Sequence, residues 1–138
     1  MPNTRFILYH KQATSARVLF LRLNGTVCQF DGLPESSQVV ESSLEGEVVT
    51  GLDEAIAHAE QKLNLATGSL KIETEFWAKV DSPETPINVY LAQFTTTDAP
   101  HQEIADLEGK FIAITEGRSL PPVELELLRL VYSFLMDG

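Results

Sequence analysis

The sequence predicts an α/β (α+β) layered domain in which a mixed sheet carries a small number of helices. Three observations predict it. Short runs of apolar or alternating residues recur along the chain as strands. Two stretches instead carry apolar residues at helical spacing, Leu52–Leu63 and Val123–Phe134. The resulting order is strands, loop, helix, strands, loop, strand, helix, which segregates helices from strand-rich blocks. At 138 residues, with no internal repeat and no linker, residues 1–138 form one domain in this reading.

In order, Arg5–His10 (RFILYH) reads as a first strand. Gln12–Ser15 is a polar connection, and Ser15–Leu23 (SARVLFLRL) a second strand. Its run Val18–Leu21 is apolar on both faces, which predicts a central place in the sheet. Asn24-Gly25 is a hairpin signal, with Thr26–Phe30 returning. Asp31–Ser43 is a loop with room for an edge strand, and Leu44–Val49 a further short strand.

The helix that follows is prepared by Thr50 as N-cap and Asp53 in the acidic place of a capping box. Leu52, Ala55, Ile56, Ala59 and Leu63 make its apolar face; Glu54, Ala57, His58 and Gln61 lie opposite. Asn64 is placed to end it in a left-handed turn.

A turn around Gly68 leads to a strand over Leu70–Val80, with Ile72, Phe76 and Ala78 expected on one face. Ile87–Phe94 (INVYLAQF) should be its antiparallel partner. Thr95–Glu108 reads as a polar, acidic loop, Lys110–Thr115 as a strand, and Glu116–Leu120 as a turn. A last helix begins at Pro121 or Pro122, with Ser119 as cap and Glu124 and Glu126 favourable at its N-terminus.

The formal net charge of −10 argues against nucleic acid as a partner. No apolar run approaches the ~20 residues of a membrane span, so no membrane partner is expected. The N-terminus MPNTRFILYHK has no apolar signal core, and a cytoplasmic location is the expectation. The lone Cys28 excludes an internal disulfide and reads as a structural thiol. Charge is nonetheless uneven, since no acidic residue precedes Asp31 while Arg5, Lys11, Arg17 and Arg22 do. Arg17 and Arg22 are therefore candidate ligand-binding residues for phosphate. Placed an odd number apart, they point to opposite faces of a strand.

The strand ARVLFLRLNG, the loop-helix unit of residues 46–65, the strand INVYLAQF and the closing FIAITEGRSLPPVELELLRLVYSFL occur in an order that resembles the Nudix (MutT-like) hydrolase superfamily. The resemblance covers about Ala16 to Leu135. It implies a mixed sheet sandwiched between helices, and a hydrolase of diphosphates that uses Mg²⁺ or Mn²⁺. The family's box runs Gly, five residues, Glu, seven residues, then Arg-Glu-hydrophobic-any-Glu-Glu-any-Gly-hydrophobic. Ending it on Asn64-Leu65 places Ala57 at the arginine, His58, Gln61 and Lys62 at the three helix glutamates, and Val49 at the upstream one. Shifting by one residue gives His58, then Ala59, Lys62 and Leu63. Neither register keeps a metal-binding carboxylate.

Three functional expectations follow. The first is a Nudix-like protein without the usual metal-dependent pyrophosphohydrolase activity, needing no cofactor and binding a nucleotide-like small molecule. The second is a divergent hydrolase of a nucleoside diphosphate linked to another moiety. It would use displaced carboxylates: Glu54 and Glu103 as catalytic residues, and Glu47, Glu54 and His58 as ligands of Mg²⁺ or Mn²⁺. Glu54 and His58 are i,i+4 neighbours on the helix. Glu103 lies with His101, Asp106 and Glu108 in the acidic segment, where the resemblance implies a base. The third is a structural homodimer module.

Overall fold

The structure is a computed structural model, and it describes residues 4–11, 17–23, 25–29, 32–33, 37–43, 52–83, 86–96 and 99–137. Its strands are β1 (Thr4–Lys11), β2 (Val18–Arg22), β3 (Gln38–Ser43), β4 (Leu70–Asp81), β5 (Ile87–Phe94) and β6 (Lys110–Ile112). Its helices are α1 (Leu52–Lys62), α2 (His101–Asp106) and α3 (Pro122–Asp137), with a 3₁₀ segment over Ile114–Ser119. The strands form one six-stranded sheet in the order β3-β4-β5-β1-β2-β6. Only β1 and β5 run parallel; every other neighbouring pair is antiparallel.

The sheet lies between helices, as its two apolar faces require. On one face Ile7, Phe20, Phe76, Ala78, Val80 and Val89 pack with Leu127, Leu128 and Val131 of α3. On the other, Phe6, Leu8, Leu21, Tyr90 and Phe94 pack with Ile56, Ala59 and Leu63 of α1 and with Ile104 of α2. Burying each of these large side chains contributes roughly 1.5–3 kcal/mol. β1 and β2 are central, and their apolar runs are buried on both faces. The mixed α/β class and the β4–β5 antiparallel pair stand as expected.

Several local expectations change. Leu23 and Thr26 exchange backbone hydrogen bonds of 3.0 and 3.2 Å around a tight turn at Gly25, whose φ is +77°. The described part of the expected return, Thr26–Gln29, makes no ladder with β2, because β1 and β6 already occupy both edges of β2. Gln29 instead bridges to Phe6 of β1. Its side-chain amide donates to the Leu21 and Thr26 carbonyls, filling the fork between the strands.

Ile72 does not share a face with Phe76 and Ala78. It packs toward α1, while they pack toward α3. The cause is an irregularity in β4. Glu73 pairs with Leu91 and Trp77 with Tyr90, so β4 advances four residues while β5 advances one. The odd excess reverses which side chains face which helix.

The acidic segment after β5 is not all loop, for it contains α2, which seats the fully buried Ile104. The predicted strand Lys110–Thr115 is ordered as strand only to Ile112 and then turns into the 3₁₀ segment. The predicted cap Thr50 and the predicted strand Leu44–Val49 lie outside the described residues.

Candidate functional site

α1 presents two very different sides. Ile56, Ala59 and Leu63 are buried, whereas Asp53, Glu54, Ala57, His58, Gln61 and Lys62 are exposed. Asn64 ends the helix with φ +58°. Its N–H donates to the Gln61 carbonyl at 3.1 Å and the Leu65 N–H to the Glu60 carbonyl at 2.9 Å, the paired bonds of a Schellman stop.

Glu60 is the one helix carboxylate that turns inward, only 4% exposed. Its Oε2 accepts from the Gly68 N–H at 2.8 Å and the Leu70 N–H at 3.0 Å. It therefore fastens α1 to the turn that starts β4. The sequence carries a signal for this, since Ile56, Glu60 and Leu63 fall at i, i+4 and i+7, on the apolar stripe itself.

The same signal marks Glu124 on α3, which shares its stripe with Leu127, Leu128 and Val131. Glu124 is buried, and its Oε1 accepts from Thr26 Oγ1 and from the Val27 N–H, both at 2.8 Å. Thr26 Oγ1 in turn accepts from the Cys28 N–H at 3.0 Å. Neighbouring Arg5 donates through Nε to the Gly32 carbonyl. Burial pushes the Cys28 thiol well above its ordinary range, the Glu124 carboxylate adds to that, and Arg5 partly opposes it. Cys28 is accordingly a buried thiol, not a nucleophile.

β1 buries two further polar groups. Tyr9 donates to Glu73 Oε1 at 3.1 Å across β5, and burial first, then the Glu73 charge, raises its phenol far above the ordinary value. His10 donates through Nε2 to the Thr96 carbonyl at 3.0 Å, since a carbonyl only accepts. That leaves Nδ1 bare and buried, without a partner among the described residues.

The sequence-derived site residues are distributed as follows. Glu54 and His58 sit together on the exposed side of α1. Glu103 is half-buried on α2, which covers the same sheet face as α1. Glu47 lies outside the described residues. Among the described residues no three His, Cys, Asp or Glu side chains come together as metal ligands.

Arg17 precedes β2 and is exposed. Arg22 closes the same strand at its other end, half-buried, and donates through Nη1 to Ser119 Oγ at 2.9 Å. The two arginines are therefore not brought together. Ser119, the expected cap of α3, is used by Arg22 instead, and α3 opens on Pro121, whose carbonyl accepts from the Glu124 and Leu125 N–H groups.

No protein-family model matches this chain, and no curated protein matches it significantly. Among the described residues no helix is long and apolar enough to cross a membrane.

Proposed function

We propose that this chain is a Nudix-like protein that has lost the usual metal-dependent pyrophosphohydrolase chemistry and keeps a role in binding a nucleotide-like small molecule. The observation that carries the reading is the division of labour on α1. The helix retains its packing face, its left-handed stop at Asn64 and its place against the sheet. At the positions where the family holds metal it presents His58, Gln61 and Lys62 to solvent, and at the arginine position Ala57. The one carboxylate in its second half, Glu60, is spent on backbone amides. A lysine among the would-be ligands repels a divalent cation rather than binding it.

The test is a thermal-shift panel of nucleoside mono-, di- and triphosphates and nucleotide sugars, with and without Mg²⁺ or Mn²⁺, alongside assays for released phosphate. Stabilisation by at least one nucleotide, equal without metal and without turnover, supports the reading. Metal-dependent turnover that Glu54→Gln or Glu103→Gln abolishes replaces it with the divergent hydrolase. Stability that responds only to protein concentration replaces it with the homodimer module.

A further inference from the structure

Acidic residues outnumber lysines and arginines by 20 to 10. A surface cation in such a chain has carboxylates to choose from, yet three close in the fold take none. Arg22 of β2 and Lys110 of β6 are direct cross-strand partners. Such partners share a face, with Cβ atoms about 4.5–5.5 Å apart, and like charges placed this way destabilise a sheet. The face is the one that carries Val18, Phe20 and α3. The Arg22 bond to Ser119 Oγ brings the end of the 3₁₀ segment beside the pair. Arg118, exposed, immediately precedes Ser119.

Among the described residues, none of Arg22, Lys110 and Arg118 forms an ion pair. Two carboxylates close by in sequence, on the 3₁₀ segment and at the start of α3, are committed elsewhere. Glu116 accepts from the Ala113 N–H, and Glu124 holds Thr26 and Val27. The start of α3 adds little, because Pro121 and Pro122 have no N–H to offer. The Ser119 hydroxyl accepts from Arg22, which leaves its own hydrogen free to donate.

We propose that Arg22, Lys110, Arg118 and the Ser119 hydroxyl form an anion site that takes the diphosphate of a phosphorylated small molecule. The guanidinium forks meet phosphate oxygens in pairs, Lys110 supplies a point charge, and the hydroxyl donates a further bond. An anion placed there attracts both cations and offsets the repulsion between Arg22 and Lys110. The inference locates the charged part of the ligand and rests on the binding reading above only for the nucleoside part.

Titration calorimetry of the full chain with inorganic pyrophosphate, and separately with ADP, tests it at low salt. Pyrophosphate is expected to bind, to weaken as NaCl is added, and to lose about tenfold or more in affinity in Lys110→Gln and in Arg22→Gln. Lys110 is exposed, so its variant leaves the core intact, and a melting curve checks the Arg22 variant. No pyrophosphate binding at millimolar concentration, or binding unchanged in both variants, overturns the site. ADP binding that ignores both substitutions also overturns the site, while leaving the nucleotide reading standing. Pyrophosphate binding that needs Arg22 and Lys110 while ADP binds no tighter supports the site and counts against an adenosine part of the ligand.

Discussion

Glu60→Ala should destabilise the fold by about 3 kcal/mol, and the structure shows how that figure arises. One oxygen, Oε2, holds two backbone donors, Gly68 at 2.8 Å and Leu70 at 3.0 Å. Hydrogen bonds to a charged acceptor are worth about 1.5–3 kcal/mol each. Gly68 is exposed, so water replaces its lost partner and the cost there falls to about 0.5–1 kcal/mol. Leu70 is buried, so its N–H is stranded at about 2 kcal/mol. In a chain of this length the total corresponds to a melting-temperature drop of about 10 °C. Glu60→Gln keeps a carbonyl oxygen that can accept from both amides, so it loses only the charge assistance, about 1 kcal/mol. Urea unfolding followed by far-ultraviolet circular dichroism and Trp77 fluorescence measures both variants, and an unchanged m-value shows that stability alone moved. If the alanine variant stays within about 0.5 kcal/mol of the parent, or the glutamine variant is as unstable as the alanine one, the assignment of Glu60 as the fastening of α1 is wrong.

Four further outcomes are expected. Asn64→Ala should cost about 1 kcal/mol, because at φ +58° asparagine's short amide can bond the local backbone and alanine's methyl cannot, while Asn64→Gly stays within a few tenths; denaturant midpoints separate them. Gly109→Ala should cost about 1–3 kcal/mol by calorimetric melting, since a Cβ there meets Ile104 Cγ2 and Leu23 Cδ1 at 2.9 Å and the Arg22 carbonyl at 3.1 Å. Tyr9, with its phenol held well above the unfolded value of about 10, contributes stability that is fully present below that pH and lost as pH rises past it. Tyr9→Phe should flatten this alkaline loss in melts taken across the range. Cys28 should ignore a thiol reagent in the native state and react fully in denaturant, and a fast native reaction contradicts its burial.

Much of the fold was legible in the sequence because its strongest patterns are local. The apolar run Val18–Leu21 marks a strand buried on both faces, and it lies inside the sheet. The i, i+3, i+4 spacing of α1 and α3 gives their packing faces, and Asn64 gives a stop. What escaped depends on distant partners. The excess residues of β4 that turn Phe76 away from Ile72 leave no trace in alternation, because the pairing with β5 decides where the register slips. The sequence Thr26–Phe30 looks like a returning strand, but β6, from far along the chain, holds the edge it would need. The candidate site was less legible. Arg22 stands out among early cations, while its partners Lys110 and Ser119 adjoin it only once β2, β6 and the 3₁₀ segment are assembled. Glu54 and His58 are i,i+4 neighbours by helix geometry alone, and that proximity says nothing about what faces them.

The parallel pairing of β1 with β5 has a consequence for synthesis. β3-β4-β5 and β1-β2-β6 are two antiparallel triplets, and this one parallel seam joins them. Thr4 pairs with Asn88 and Tyr9 with Gln93, so β1 leaves the ribosome well before β5 and waits for it. Until then Phe6, Ile7 and Leu8, all buried in the finished sheet, have no partner on that edge. Long-range strand pairing of this kind is slow, and an apolar strand left open is a template for wrong partners. A nascent chain halted before Ile87 therefore leaves one edge of the apolar β1 open, and the commitment to fold falls late, when β5 closes the seam.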